Sequence, residues 1–139
     1  MAEQTHQHFI ERFTAIFNQP DVNIANEIFA PGFKSHLPLA PEVDTEGWKA
    51  YVQNFRGGFP DMRMDVHETV VTDDRLIWRV TYRGTHTADF MGVPASGKPI
   101  EMPAIGWFHM NADGLAVENW ASFDVFTVMQ AIGAIPAPA

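Results

Sequence analysis

The chain contains no cysteine. Disulfide staples, thiolate nucleophiles and thiolate metal sites are therefore excluded. Positive charge is scarce: 9 Lys and Arg stand against 17 Asp and Glu, for a formal charge of −8. Nothing basic is clustered to meet phosphates or an acidic lipid surface, so neither nucleic acid nor a membrane is an expected partner. No apolar run approaches the ~18 residues of a membrane-spanning helix. The start, Met1 to His8, is polar and lacks the apolar core of a secretory leader. A cytoplasmic protein is expected.

Several motifs are missing too. No H-x-x-x-H or H-E-x-x-H occurs, and no H-x-H falls on an expected strand. There is no G-x-S-x-G elbow and no phosphate-binding loop. Gly92, Gly97 and Gly106 are isolated and do not form a dinucleotide fingerprint. No metal and no organic cofactor is expected.

What is present is apolar bulk. Of 139 residues, 46% are hydrophobic, with 11 Phe, 4 Trp and 2 Tyr. That suits a single domain over 1–139, with aromatic surface to spare for a pocket or an interface. Phe9, Phe13, Ile16 and Phe17 recur at helical spacing and predict a helix over 3–18. Val22 to Phe29 reads as a short second helix, stopped by Ala30-Pro-Gly32. Thr45 to Phe55 reads as a third, capped by Asp44 or Thr45. Phe33 to Leu37, between them, is a short extended segment. After Pro60 the period becomes 2. Four strands follow: Met62–Val70, Leu76–Arg83, Ile100–Met110 and Leu115–Phe123. The turns Thr72-Asp-Asp74 and Asn111-Ala-Asp-Gly114 separate the first pair and the last. Val125 to Ile132 is a closing helix with Gly133 beyond its end; Ile135 to Ala139 is irregular. Helices and strands are segregated, so the class is α+β. Both sheet faces carry large residues, Trp78 and Tyr82 on one and Ile77 on the other. Helices are expected on one face and a second subunit on part of the other.

Chemistry then rests on Asp124, Glu118, Glu101, His36 and His109. Asp124 sits in the apolar run Trp120–Met129, where it is a helix cap, a pocket carboxylate with a raised pKa, or both. His36 lies beside Leu37 and Pro38, as a loop residue or at a cavity mouth. His109 shares a face with Ile105 and Trp107, facing either a cavity or a partner. Glu101 and Glu118 are expected to be solvated, as are His6, His8 and His67. His86 is read as an interface or mouth residue.

The stretch Gly84 to Glu101, with His86, Gly92, Pro94 and Gly97-Lys98, resembles the G-x-H-x-G-x-x-x-G-x-P-x-T-G-K signature of the SnoaL-like polyketide cyclases. Ala88 and Ser96 depart from it. Phe59-Pro-Asp61, the ending Asp113-Gly114, Glu118, Trp120, Asp124, and Val128 to Gly133 resemble further family motifs. The resemblance implies a nuclear-transport-factor-2-like α+β barrel: a cone-shaped, curved antiparallel sheet wrapped around N-terminal helices, with a deep pocket and a homodimer through the outer sheet face. It implies a cofactor-independent cyclase, lyase or isomerase with Asp124 as acid/base. The enolate so formed needs a hydrogen-bond donor, for which His36, His109 and the indole N–H of Trp107 or Trp120 are the candidates, and a small hydrophobic carbonyl compound is the expected substrate. Trp48, Tyr51, Phe90, Met91, Ile105, Trp107 and Trp120 are expected to line the pocket. Ile105 and Trp107 stand where the founding cyclase carries polar residues, which points to a smaller or less polar substrate. Non-catalytic binding of such a ligand and epoxide hydrolysis are the alternatives. Hydrolysis needs a carboxylate pair or an Asp–Arg pair, with Arg79 and Arg83 as the candidate cations.

Overall fold

The computed structural model describes residues 2–136, with side chains from residue 6 onward. Helix α1 (Ala2–Asn18) leads through a short 3-10 turn (Val22–Ile24) into α2 (Ala25–Ile28) and strand β1 (Phe29–His36). Then come α3 (Thr45–Gly58), β2 (Arg63–Val71), β3 (Arg75–Thr85), β4 (Pro99–Met110), β5 (Ala116–Phe123) and α4 (Val125–Ala131). The strands form one curved, unclosed sheet in the order β1-β5-β4-β3-β2. The fold is the expected nuclear-transport-factor-2-like α+β type.

The sheet has five strands where periodicity indicates four. The second helix stops at Ile28, and Phe29–His36 continues as an edge strand parallel to β5. Pro31 and Gly32 conceal this strand in the sequence. An edge strand tolerates a proline that cannot donate, and the register shift between Phe29 and Lys34 absorbs it, with Gly32 at φ +79°.

The other strands pair antiparallel. Along β4, Met102, Ala104, Gly106 and Phe108 are buried, while Glu101, Pro103, Ile105 and Trp107 are exposed. On β2 a bulge at His67 breaks the alternation. Val66 faces inward opposite Val80, but Glu68 and Val70 turn outward opposite Arg79 and Ile77.

Helix α1 fills the concave face. Phe13 lies 4.9 Å from the Trp78 ring and 5.6 Å from those of Trp48 and Phe108. Burying each such ring contributes about 1.5–3 kcal/mol. Two polar clamps fix the helix. His6 is buried, not solvated as expected, and its Nε2 donates to the Thr72 carbonyl at 2.9 Å. Arg56 of α3 donates to the carbonyls of Ile16 and Phe17 in the last turn of α1, and to that of Met62. Among the described residues no helix is long and apolar enough to cross a membrane.

Candidate active site

The cone holds a cup between α1, α3 and the inner face of β3–β5. Its wall includes Phe13, Phe17, Leu37, Trp48, Tyr51, Phe55, Trp78, Tyr82, Phe108, Asn119 and Phe123. It encloses about 60 Å³, space for a handful of non-hydrogen atoms. Among the described residues no carboxylate and no imidazole lines it.

Its polar atoms fall into two sets. Tyr51 and Asn119 are committed to the scaffold. The Tyr51 hydroxyl donates to the Pro38 carbonyl at 2.9 Å, and burial pushes its pKa up to about 12. Asn119 accepts from Ser35 Oγ at 2.7 Å and donates to the Trp107 carbonyl at 3.3 Å. Tyr82 and Trp78 are uncommitted. Both line the cup, and neither the Tyr82 hydroxyl nor the Trp78 indole N–H makes a hydrogen bond among the described residues. Burial raises the Tyr82 pKa, so the phenol keeps its proton and acts as a donor. Gly106 makes room for the indole. A Cβ there would lie 2.4 Å from Trp78 Nε1.

The expected catalytic residues lie elsewhere. Asp124 is exposed and caps α4: Thr127 donates to it through both its hydroxyl and its backbone N–H, the latter at 3.1 Å. These hydrogen bonds, the hydroxyl's first, lower its pKa, opposite to the raised value of a pocket carboxylate. Asp124 is thus the helix cap that the sequence offers.

His36 and His109 sit on the outer face, their rings each 4.9 Å from that of Trp120. His36 Nε2 is 2.7 Å from Glu118 Oε2. Glu101 pairs with Arg83, which also binds Asp65 at 2.8 Å, and Arg79 binds Glu68 at 2.9 Å. Neither arginine reaches the cup, so no Asp–Arg pair for epoxide hydrolysis forms there.

Of the expected pocket residues, Trp48 and Tyr51 line the cup, and Ile105 borders it while 49% exposed. Trp107 and Trp120 face outward, 43% and 38% exposed. Phe90 is buried against Phe55 and Phe59 instead, and Met91 is exposed. His86 is also buried, away from any mouth. Its Nδ1 accepts from the Ser96 N–H at 3.1 Å and so latches the loop that carries the Gly97-Lys98 motif.

Tyr82, Trp78 and Asn119 line the cup but are not among the residues that the sequence singles out. Shared parity on β3 was the available signal for Tyr82 and Trp78. Asn119 was obscured by its neighbours Glu118 and Trp120, which belong to the opposite face.

The family model for SnoaL-like polyketide cyclases matches residues 7–132. The chain belongs to that family. Among solved structures it is similar to wild-type IdmH of Streptomyces antibioticus, a proposed polyketide cyclase: 34% identity, 91% of this chain and 97% of that one covered, TM-score 0.81. TsrD of Streptomyces laurentii shares the fold at 24% identity, covering 97% and 99% of the two chains with TM-score 0.84. AclR of Streptomyces galilaeus, a proposed hydroxylase, shares it at 20% identity, 99% and 87% coverage and TM-score 0.88. No curated protein matches the chain.

Proposed function

We propose that this SnoaL-like chain takes a small, largely apolar carbonyl compound of polyketide type into its aromatic cup and promotes a cyclase- or isomerase-type rearrangement without a cofactor. The observation that carries this reading is the pair of open donors, Tyr82 O–H and Trp78 N–H, in an otherwise uncharged cup. A carbonyl oxygen placed against them gains hydrogen bonds that strengthen as it becomes an enolate, in surroundings where water does not compete. The aromatic wall folds the chain so that its reacting carbons approach. A 1,3-dicarbonyl is acidic enough at carbon to release its proton to water at the mouth. The narrow cavity favours a one-ring product over a fused polycycle.

The family's motif supports a finer version, in which Asp124 is the base. The geometry weighs against it, because a capping carboxylate with a lowered pKa is a weak base outside the cup. The same absence of acid/base groups from the cup favours, as a second reading, binding without turnover. The proposed partner is a second copy of the chain. Val70, Ile77, Trp107, Trp120 and His36 are register neighbours across all five strands and form an outward row on the sheet.

The test is a panel of linear and one-ring 1,3-dicarbonyl compounds, with binding followed by tryptophan fluorescence and product by mass spectrometry. Binding with turnover supports catalysis. Binding without turnover supports the second reading, and no binding by any member sinks both.

A further inference from the structure

The outer face carries a second cluster that the cup does not use. His36, Glu42 and Glu118 each offer one donor atom, and all three atoms lie within 4.8 Å of one another. They come from two strands and a loop. Ser35 and Val43 form an antiparallel bridge, with N–H to carbonyl distances of 2.8 and 3.0 Å in the two directions. That bridge sets residues 36 and 42 opposite each other. The parallel register of β1 on β5 brings Glu118, two residues before His36's partner Trp120, onto the same face. The His36 ring is held by stacking on Trp120, with 4.9 Å between centroids and 12° between planes. The intervening loop is fixed by the Tyr51 hydrogen bond to Pro38.

The cluster has surplus negative charge. His36 Nε2 is 2.7 Å from Glu118 and 3.7 Å from Glu42. Among the described residues these are the only ion-pair contacts of either carboxylate. Lys34 lies across from Glu118 in register but makes no ion pair with it. One imidazole, even when protonated, leaves a carboxylate uncompensated. A dication would balance both.

We propose that His36, Glu42 and Glu118 bind a divalent transition-metal ion of the zinc class. An imidazole with two carboxylates suits zinc, cobalt or nickel better than magnesium or calcium, which prefer oxygen ligands alone. Ligand atoms around tetrahedral zinc stand about 3.4 Å apart, as its bond lengths of about 2.0–2.2 Å require. The 2.7 and 3.7 Å separations from His36 straddle that distance, and the two carboxylates lie within 4.8 Å of each other, so the cluster is within side-chain reach of that geometry. The metal would take the place of the proton shared by His36 and Glu118, and water would fill the fourth position. This proposal is independent of the reaction in the cup.

The test titrates the metal-free full-length chain with zinc sulfate by calorimetry, and with cobalt(II) by visible absorption. The expected result is one ion per chain, with the intense visible bands of tetrahedral cobalt. Glu42→Gln should weaken binding by at least the roughly 10- to 100-fold lost with a partner that only supports a ligand, and His36→Gln should abolish it. Glu42→Gln leaves the His36–Glu118 contact in place, so it carries the test if His36→Gln fails to fold. His8→Gln, which alters an exposed imidazole on α1 away from the cluster, should change nothing. Absence of saturable binding, or binding indifferent to Glu42→Gln, overturns the proposal.

Discussion

The two faces of the sheet differ in kind. The inner face buries aromatic rings and leaves two uncharged donors open, Tyr82 and Trp78. The outer face carries Arg83 with Asp65 and Glu101, Arg79 with Glu68, and the His36 cluster, with Trp107 and Trp120 half exposed among them. Residues that look chemically capable in the sequence are mostly outside. The cup itself is built from residues that look like ordinary core. An uncharged inner face is suited to a ligand held by shape and a few donors, while an outer face with exposed indoles is suited to a partner surface.

The sharpest way to break this division is to damage one face and read out the other. Phe13→Ala removes the ring at the centre of the inner face and should cost about 3–5 kcal/mol of stability in urea unfolding. Trp107→Arg puts a charge into the outward row opposite Ile77 and Trp120. On the proposed homodimer it should shift sedimentation from dimer to monomer and leave ligand binding in the cup unchanged. Gly106→Ala drives a methyl against the Trp78 indole. It should weaken ligand binding by about tenfold and leave the oligomeric state alone.

The smallest effect is expected at Asp124. Its folded pKa is lowered, so its stabilisation is present through neutral pH and is lost as pH falls below the ordinary carboxylate range. Asp124→Asn keeps a good cap. It should leave the neutral-pH melting temperature nearly unchanged and flatten the acid limb of the stability profile.

Much of this was legible in the sequence, for reasons that also explain the failures. The helical spacing of Phe9, Phe13, Ile16 and Phe17 gives α1 because one apolar stripe faces one core. Positive φ at Gly114 and Gly133 places the last hairpin turn and the end of α4. The helix-cap alternative for Asp124 was also readable from its place before a helical run. β1 was hidden because Pro31 and Gly32 read as breakers, and only the neighbouring β5 shows that they sit on an edge. The inward or outward sense of each face was the harder matter. Ile105, Trp107 and His109 share parity, but large apolar side chains are as much at home on an interface as in a cavity. The bulge at His67 reverses parity midway along β2 with no mark in the local residues. The His36–Glu42–Glu118 cluster depends on a bridge and a register, and on contacts between residues up to 82 apart in sequence.

The central claim is that donors inside the cup, and not the capping aspartate, act on the substrate. The most direct measurement compares turnover of one accepted 1,3-dicarbonyl compound by Tyr82→Phe and Asp124→Asn. A loss of about 100-fold or more in Tyr82→Phe, with near-normal turnover in Asp124→Asn, is the predicted result. Full activity in Tyr82→Phe together with collapse in Asp124→Asn would contradict the account and restore the aspartate base.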